Sequence, residues 1–357
     1  MRIRLFDLLT RPELVRLSCT SSTVKEYVDI YSEDAWNISN FLDLWFDSPY
    51  EFRSYMALTG AVLTGSQAIR FFDRRQPDPS SDLDIVTRIG GTMSLCLYLE
   101  EQGYVRVARS REAEDEYPLL DDVLSLSSTK RFCSGSGGSG ILGIFDFEKG
   151  SFPPFSNGSW QRVKVQVITV TQSPIWHIIH TFHSTLAMNY ITYKEAVAVF
   201  PKATFLDRVA YPSSRKKFGE DWTPQWKTKY ERRGFRFDTR SRKPALKLGD
   251  RSTKDKQCWR VPLNDRAETF GQRCVWRGSH MGAIQCSPHA RELSNYGGDI
   301  AIRLGENTSV YAQSEEEEFN FELSWVPEGE YPTPKRYRLG IYEPEIWDYL
   351  YPWHILQ

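Results

Sequence analysis

Two aspartates, Asp82 and Asp84, stand one residue apart in the run "SDLDIV", sixteen residues beyond the Gly65–Ser66 step (82 − 66 = 16). In an extended strand, residues two apart point to one face, so both carboxylates share a side. Like charges that close repel unless something positive sits between them. A divalent metal, held by hard oxygen ligands, is the usual solution. Gly65 and Ser66 open an apolar helical run, "QAIRFF". At a helix start, free amide N–H groups and the helix dipole favour a phosphate. Gly65 leaves no side chain to block a ligand, and Ser66 adds a hydroxyl donor. Carboxylates for a metal beside an amide cradle for a triphosphate are the minimum for metal-assisted attack on a phosphoryl group.

These residues need elements to hold them. "AVLTG" (61–65) reads as a short buried strand, Ser66 as the cap of the following helix, and "QPDPSS" (76–81) as a loop. "DLDIV" (82–86) reads as a strand, "GTMSLCLYLEEQG" as a helix closed by Gly103, and "YVRVA" as a strand. "ILGIFDFEK" follows, and "RVKVQVITV" (162–170) is the cleanest alternating strand in the chain. "SPIWHIIHTFHSTLAMNYI" begins with Ser173 and Pro174, a strong helix start. A second short helix is expected near "YKEAVAVF", ending before Pro201. Ahead of all this come short helices, with Ser32 as an N-cap and Gly60 as a C-terminal stop. The order predicts an α/β or α+β fold, a small mixed sheet with flanking helices. We expect an N-terminal helical segment over 1–48, a core domain over 49–205 and an accessory region over 206–357 that contains strands.

The pattern "GS…SDLDIV" resembles the signature of the nucleotidyltransferase fold, shared by DNA polymerase β, poly(A) polymerases, CCA-adding enzymes and minimal nucleotidyltransferases. "HSTLAMNYIT…FPKATF" (183–205), after "VQVITV", resembles uncharacterised fungal proteins built on that domain. The likeness spans about 50–205. It implies Mg²⁺- or Mn²⁺-dependent transfer of a nucleotidyl group from a nucleoside triphosphate. Asp82 and Asp84 would be the catalytic metal ligands, and Gly65 and Ser66 would hold phosphates. The superfamily often adds a third carboxylate on a later strand. On "KVQVITV" the fitting inward position is Gln166, an amide that cannot act as a base. Asp146 or Glu148, on the neighbouring strand, could substitute. Two readings stay open: an active nucleotidyltransferase, or a non-catalytic module that kept the fold for nucleotide, nucleic-acid or protein binding. An RNA or a protein is the acceptor or partner they allow.

Other groups weigh less. His177, His180 and His183 drift around their helix, and no acid or Cys is interleaved. Cys258, Cys274, Cys286 and His289 have gaps too long for a usual zinc site and read as buried thiols. "SGSGGSG" (134–140) reads as a hairpin loop. From Lys202 to Arg260 there are 18 Lys/Arg against 7 Asp/Glu, a net of +11. From Asp299 to Asp348 there are 12 acids against 4 bases, a net of −8. The basic part interleaves Trp222, Trp226, Tyr230, Phe235 and Phe237 with its cations. It suits single-stranded nucleic acid or pairing with the acidic part. No run of about 18 apolar residues exists, so no membrane span is expected. The scattered cysteines fit reduced thiols and an intracellular setting, cytoplasmic or nuclear.

Overall fold

The computed structural model describes residues 2–107, 141–150, 162–170, 173–211, 225–237 and 249–263, and strand segments within 274–338. Helices α1 (Arg2–Asp7), α2 (Arg11–Ser18), α3 (Ser22–Ala35), α4 (Ile38–Leu42) and α5 (Pro49–Thr59) come first. Then follow β1 (Val62–Thr64), α6 (Gly65–Phe72), β2 (Leu83–Arg88), α7 (Ile89–Glu101), β3 (Val105–Val107), β4 (Ile141–Gly150) and β5 (Arg162–Val170). Next are α8 (Pro174–Thr181), a 3₁₀ turn over Thr185–Ala187, β6 (Asn189–Ile191), β7 (Glu195–Ala198), a π-helical turn over Lys202–Leu206 and β8 (Val209–Ala210). After these come α9 (Gln225–Glu231), β9 (Arg236–Phe237), β10 (Gly249–Ser252) and β11 (Trp259–Pro262). The strands β12 (Cys274–Gly278), β13 (Gly282–Cys286), β14 (Ala301–Leu304), β15 (Val310–Ala312), β16 (Glu322–Val326) and β17 (Lys335–Arg338) complete the described elements.

The fold is mixed α/β, a large sheet flanked by helices. Its strand order is β11-β7-β6-β1-β2-β5-β4-β3. β2 and β5 run parallel, and the other neighbours for which pairing is described run antiparallel. The period-2 pattern of β5 decides which face goes where. Val163, Val165 and Val167 join Leu63, Leu83 and Ile85 on one face. That face packs on Phe52 and Met56 of α5 and on Met93 and Leu97 of α7, and the same core takes in Trp36 and Phe41 of the N-terminal helices. Ile168 and Val170 join Val62 and Val86 on the other face, under Ile175, Ile178 and Ile179 of α8.

Several local expectations hold. Gly60 ends α5 in the left-handed region at φ 70°, and Gly103 takes φ 82° just past α7. Two do not. Ser32 lies inside α3, where its hydroxyl donates to the Val28 carbonyl at 2.6 Å. The cap is Ser21, whose Oγ accepts from the Val24 amide at 3.2 Å. The segment expected as a helix near "YKEAVAVF" is strand β7, paired on both sides with β6 and β11. Alanines favour a helix locally, but pairing within a buried sheet overrides that preference. β11 thus brings residues from beyond 205 into the large sheet. The loop expected at 134–140 lies outside the described residues, as does His289.

Candidate functional site

β1 and β2 pair with Thr64 opposite Asp84. The chain then turns straight into α6 at Gly65, which sits at φ +71°. A Cβ on Gly65 would land on Asp84 Oδ2 and lie 3.0 Å from Asp84 Cγ. The Asp84 carboxylate therefore packs directly on the backbone of the Gly-Ser step, and only glycine permits that contact. Thr64, with extended backbone, occupies the N-cap position expected for Ser66. Its hydroxyl donates to the Asn189 carbonyl at 2.9 Å, tying the turn to β6. Ser66 lies in the first turn and is buried.

Asp82 is exposed just before β2, and Asp84 is half-buried within it. Asp84 has no hydrogen-bond donor among the described residues. Burial pushes its carboxyl up to about 7, the charge of Asp82 adds to the rise, Lys229 opposes it, and Asp146 adds again. A carboxylate so placed is under-neutralised, and a cation would stabilise it.

The rest of this face is set by register. Asp84 pairs with Gln166 across the parallel β2–β5 ladder, and Gln166 pairs with Asp146 across β4–β5. Three strands thus present Asp84, Gln166 and Asp146 in one row. Asp84 and Asp146 are two strand spacings apart, about 10 Å between backbones. Gln166 Nε2 donates to Asp146 Oδ1 at 2.8 Å. The amide therefore stands between the two acids, where a third carboxylate would repel both. One step along, Lys164 lies 2.9 Å and Arg162 3.1 Å from Glu148. Hydrogen bonds from Lys164 and Arg162 hold the Glu148 carboxyl below its ordinary range. Of the two substitute acids named from the sequence, Asp146 shares the row of Asp84, and Glu148 is engaged by cations.

The long gap between the Gly-Ser step and the aspartates has a structural cause. Gln67 is buried, and its Nε2 donates to the carbonyls of Asp78 at 2.8 Å and Ser81 at 2.9 Å. Its Oε1 accepts from the Asp78 amide at 3.3 Å. One side chain on α6 thereby pins the loop 76–81 and delivers Asp82 to the start of β2. Burial works against the Asp78 carboxylate, but hydrogen bonds from Ser80 and the charges of Arg70 and Arg233 hold its pKa below the aspartate norm. Replacing Gln67 with Met should leave buried carbonyls unpaired and cost about 2–4 kcal/mol, read from urea denaturation midpoints. An unchanged midpoint would show that the loop needs no such pin.

Sequence reading missed a further group. α9, in the basic segment, folds back over the Asp84 end of the sheet. Lys229 is exposed there and acts on the Asp84 charge. Tyr230 is buried, and burial with the Asp84 charge pushes its hydroxyl pKa up. Arg233 Nη2 donates to Ser81 Oγ at 3.2 Å and lies 3.8 Å from Asp78. His183 anchors this helix by stacking on Trp226, with ring centroids 3.7 Å apart at 12°. Its sequence signal was the interleaving of aromatics and cations in the basic segment, which did not tie it to Asp84.

His177 is buried in α8 with Thr181 beside its Nε2 at 3.1 Å, and His183 lies beyond the helix end. Cys258 is a half-buried thiol whose Sγ donates to the Ser252 carbonyl at 3.4 Å. Among the described residues no group of three or more His, Cys, Asp or Glu side chains converges to hold a metal ion. Mg²⁺ characteristically keeps several waters and takes one or two carboxylates plus phosphate oxygens, so the pair Asp82 and Asp84 has the right donor chemistry without a third acid. Among the described residues no helix is long and apolar enough to cross a membrane. No family model, curated protein or solved structure matches the chain.

Proposed function

We propose that the chain is a nucleotidyltransferase-fold protein that binds a nucleoside triphosphate with a divalent cation and transfers its nucleotidyl group to an acceptor hydroxyl. The observation that carries this reading is Asp84: a desolvated carboxylate lying on the Gly65 turn, with Asp82 beside it and Lys229 opposite. Asp82 and Asp84 would hold the cation, and Mg²⁺ or Mn²⁺ would supply charge neutralisation of the phosphates. The amides after Gly65, Ser66 and Lys229 would take the phosphate oxygens. In the reaction the acceptor oxygen bonds to the α-phosphorus, the bond from that phosphorus to the bridging oxygen breaks, and pyrophosphate leaves. The hydroxyl proton passes to a carboxylate or to water. Asp146, across the row, would be the candidate acid for this.

A second reading rests on Gln166. Its hydrogen bond engages Asp146, which suits a module that binds nucleotide without turning it over. Both readings require that wild-type protein bind ATP in the presence of Mn²⁺ by calorimetry, and that Asp82→Asn and Asp84→Asn each weaken this at least tenfold. Wild type and double variant binding alike would overturn both. Incubation with labelled nucleoside triphosphates and a mixed RNA and protein acceptor pool separates them. Gln166→Asp should raise transfer by roughly 10²–10⁴-fold if a base is what the row lacks. No labelled product from either protein leaves the binding module.

A further inference from the structure

A cleft of about 650 Å³ lies at the far end of α6 from Gly65, bounded by α2, the end of α3, the π-helical turn and β11. α6 has eight residues, about 12 Å of helix, so the cleft is separate from the carboxylate row. Its walls are aromatic: Trp36, Phe72, Phe205 and Trp259 all line it. Trp36 and Trp259 meet edge to face with centroids 5.3 Å apart. Phe205 comes from the segment "FPKATF", whose role the carboxylate site leaves unexplained.

The charges at this cleft are unbalanced. Asp73, the acid that lines it, is already neutralised by Arg208 at 2.8 Å and lies 3.8 Å from Arg75. Arg74 is a strut, donating to the carbonyls of Phe6 at 3.1 Å and Leu9 at 2.7 Å and to the Tyr31 hydroxyl at 2.8 Å. That leaves Arg11, Arg16 and Lys202 on the lining, none with an ion pair within 4.0 Å among the described residues. Arg11 is half-buried, with its guanidinium 5.2 Å from the Trp36 ring centre and one long bond to Ser32 Oγ at 3.5 Å. Lys202–Leu206 form a π-helical turn, a local geometry that recurs at functional sites.

We infer that this cleft is a binding site for a small planar aromatic anion, its ring laid against the aromatic cluster and its carboxylate, phosphate or sulfonate met by Arg11, Arg16 and Lys202. The volume falls in the range of small-molecule sites. Aromatic walls alone would suit any apolar ring. Three cations without an ion pair among the described residues select one carrying negative charge.

Three probes divide the requirement. Anilinonaphthalene sulfonate carries ring and anion, N-phenylnaphthylamine carries the ring alone, and inorganic phosphate carries the anion alone. The sulfonate should bind the full chain with one-to-one stoichiometry, with energy transfer from tryptophan, at least tenfold tighter than either other probe. Arg16→Gln/Lys202→Gln changes only exposed side chains, and it should weaken the sulfonate about tenfold while leaving N-phenylnaphthylamine unchanged. Arg11→Gln should do the same, and none of these variants should alter Mn²⁺–ATP binding. Equal affinity for the charged and uncharged rings, phosphate binding as tightly as the sulfonate, or unchanged affinity in the exposed double variant would each overturn the assignment.

Discussion

Gly65→Ala should unfold the protein or lower its melting temperature by more than about 10 °C. Two costs add. The left-handed backbone at φ +71° disfavours any side chain, worth about 1–2 kcal/mol. The new methyl would also occupy the place of Asp84 Oδ2, forcing the carboxylate or the β1–α6 turn to move. Together about 3–5 kcal/mol is expected, a large part of the stability of a typical domain. Gly150→Ala is the control, because nothing lies within 4 Å of a Cβ there. Pairing Gly65→Ala with Asp84→Ser should recover the steric part alone, as a double-mutant cycle reads directly. A Gly65→Ala protein that melts within 2 °C of wild type, a cost below about 1 kcal/mol, would show that the turn can relax away from Asp84.

Asp84→Asn should stabilise the protein at pH 8 in the absence of metal. The folded carboxyl titrates near 7, against an ordinary value of 3.8. Between those values the unfolded chain ionises and the folded chain does not, so wild-type stability falls as pH rises from about 4 to about 7. The whole penalty is present above pH 7 and absent below pH 4. Asp84 is partly exposed, so the effect is discounted to about 2 kcal/mol. The variant should gain that amount at pH 8, gain nothing at pH 4, and lose the slope between. Melting curves at half-unit pH steps measure it. Mn²⁺ should raise the melting temperature of wild type more at pH 8 than at pH 6, since metal and proton compete for one carboxylate. Parallel pH profiles for the two proteins would mean that Asp84 is not the titrating group.

The core of the candidate site was legible because its signals are local. The β1–α6–β2 order follows from a short apolar run, a Gly-Ser step and an acid-apolar-acid strand. The alternation of β5 placed Gln166 on the face of Asp82 and Asp84, and the register puts it opposite Asp84. What stayed hidden depends on distant residues. β7 is a strand because β6 and β11 flank it, and nothing in "YKEAVAVF" carries that information. Gln67 looks like one more polar residue on a helix until the loop it clamps is seen. Lys229 and Tyr230 lie more than 140 residues beyond Asp84 (229 − 84 = 145), and no periodicity links them. Asp146 was one of two candidates, and only pairing with Gln166 separated it from Glu148.

The parallel β2–β5 ladder also bears on how the molecule comes into being. Asp84 and Gln166 are 82 residues apart in sequence (166 − 84 = 82), and they meet only when that ladder closes. Contacts so distant along the chain raise contact order, and the loop entropy must be met before the pairing repays it. β4 can join β5 earlier as an antiparallel neighbour, bringing Asp146 to Gln166 ahead of Asp84. The carboxylate row therefore exists only once this long-range ladder has closed, and no fragment ending before β5 carries it. A ligand that needs the whole row thus acts on the finished sheet, holding it against unfolding without hastening its formation.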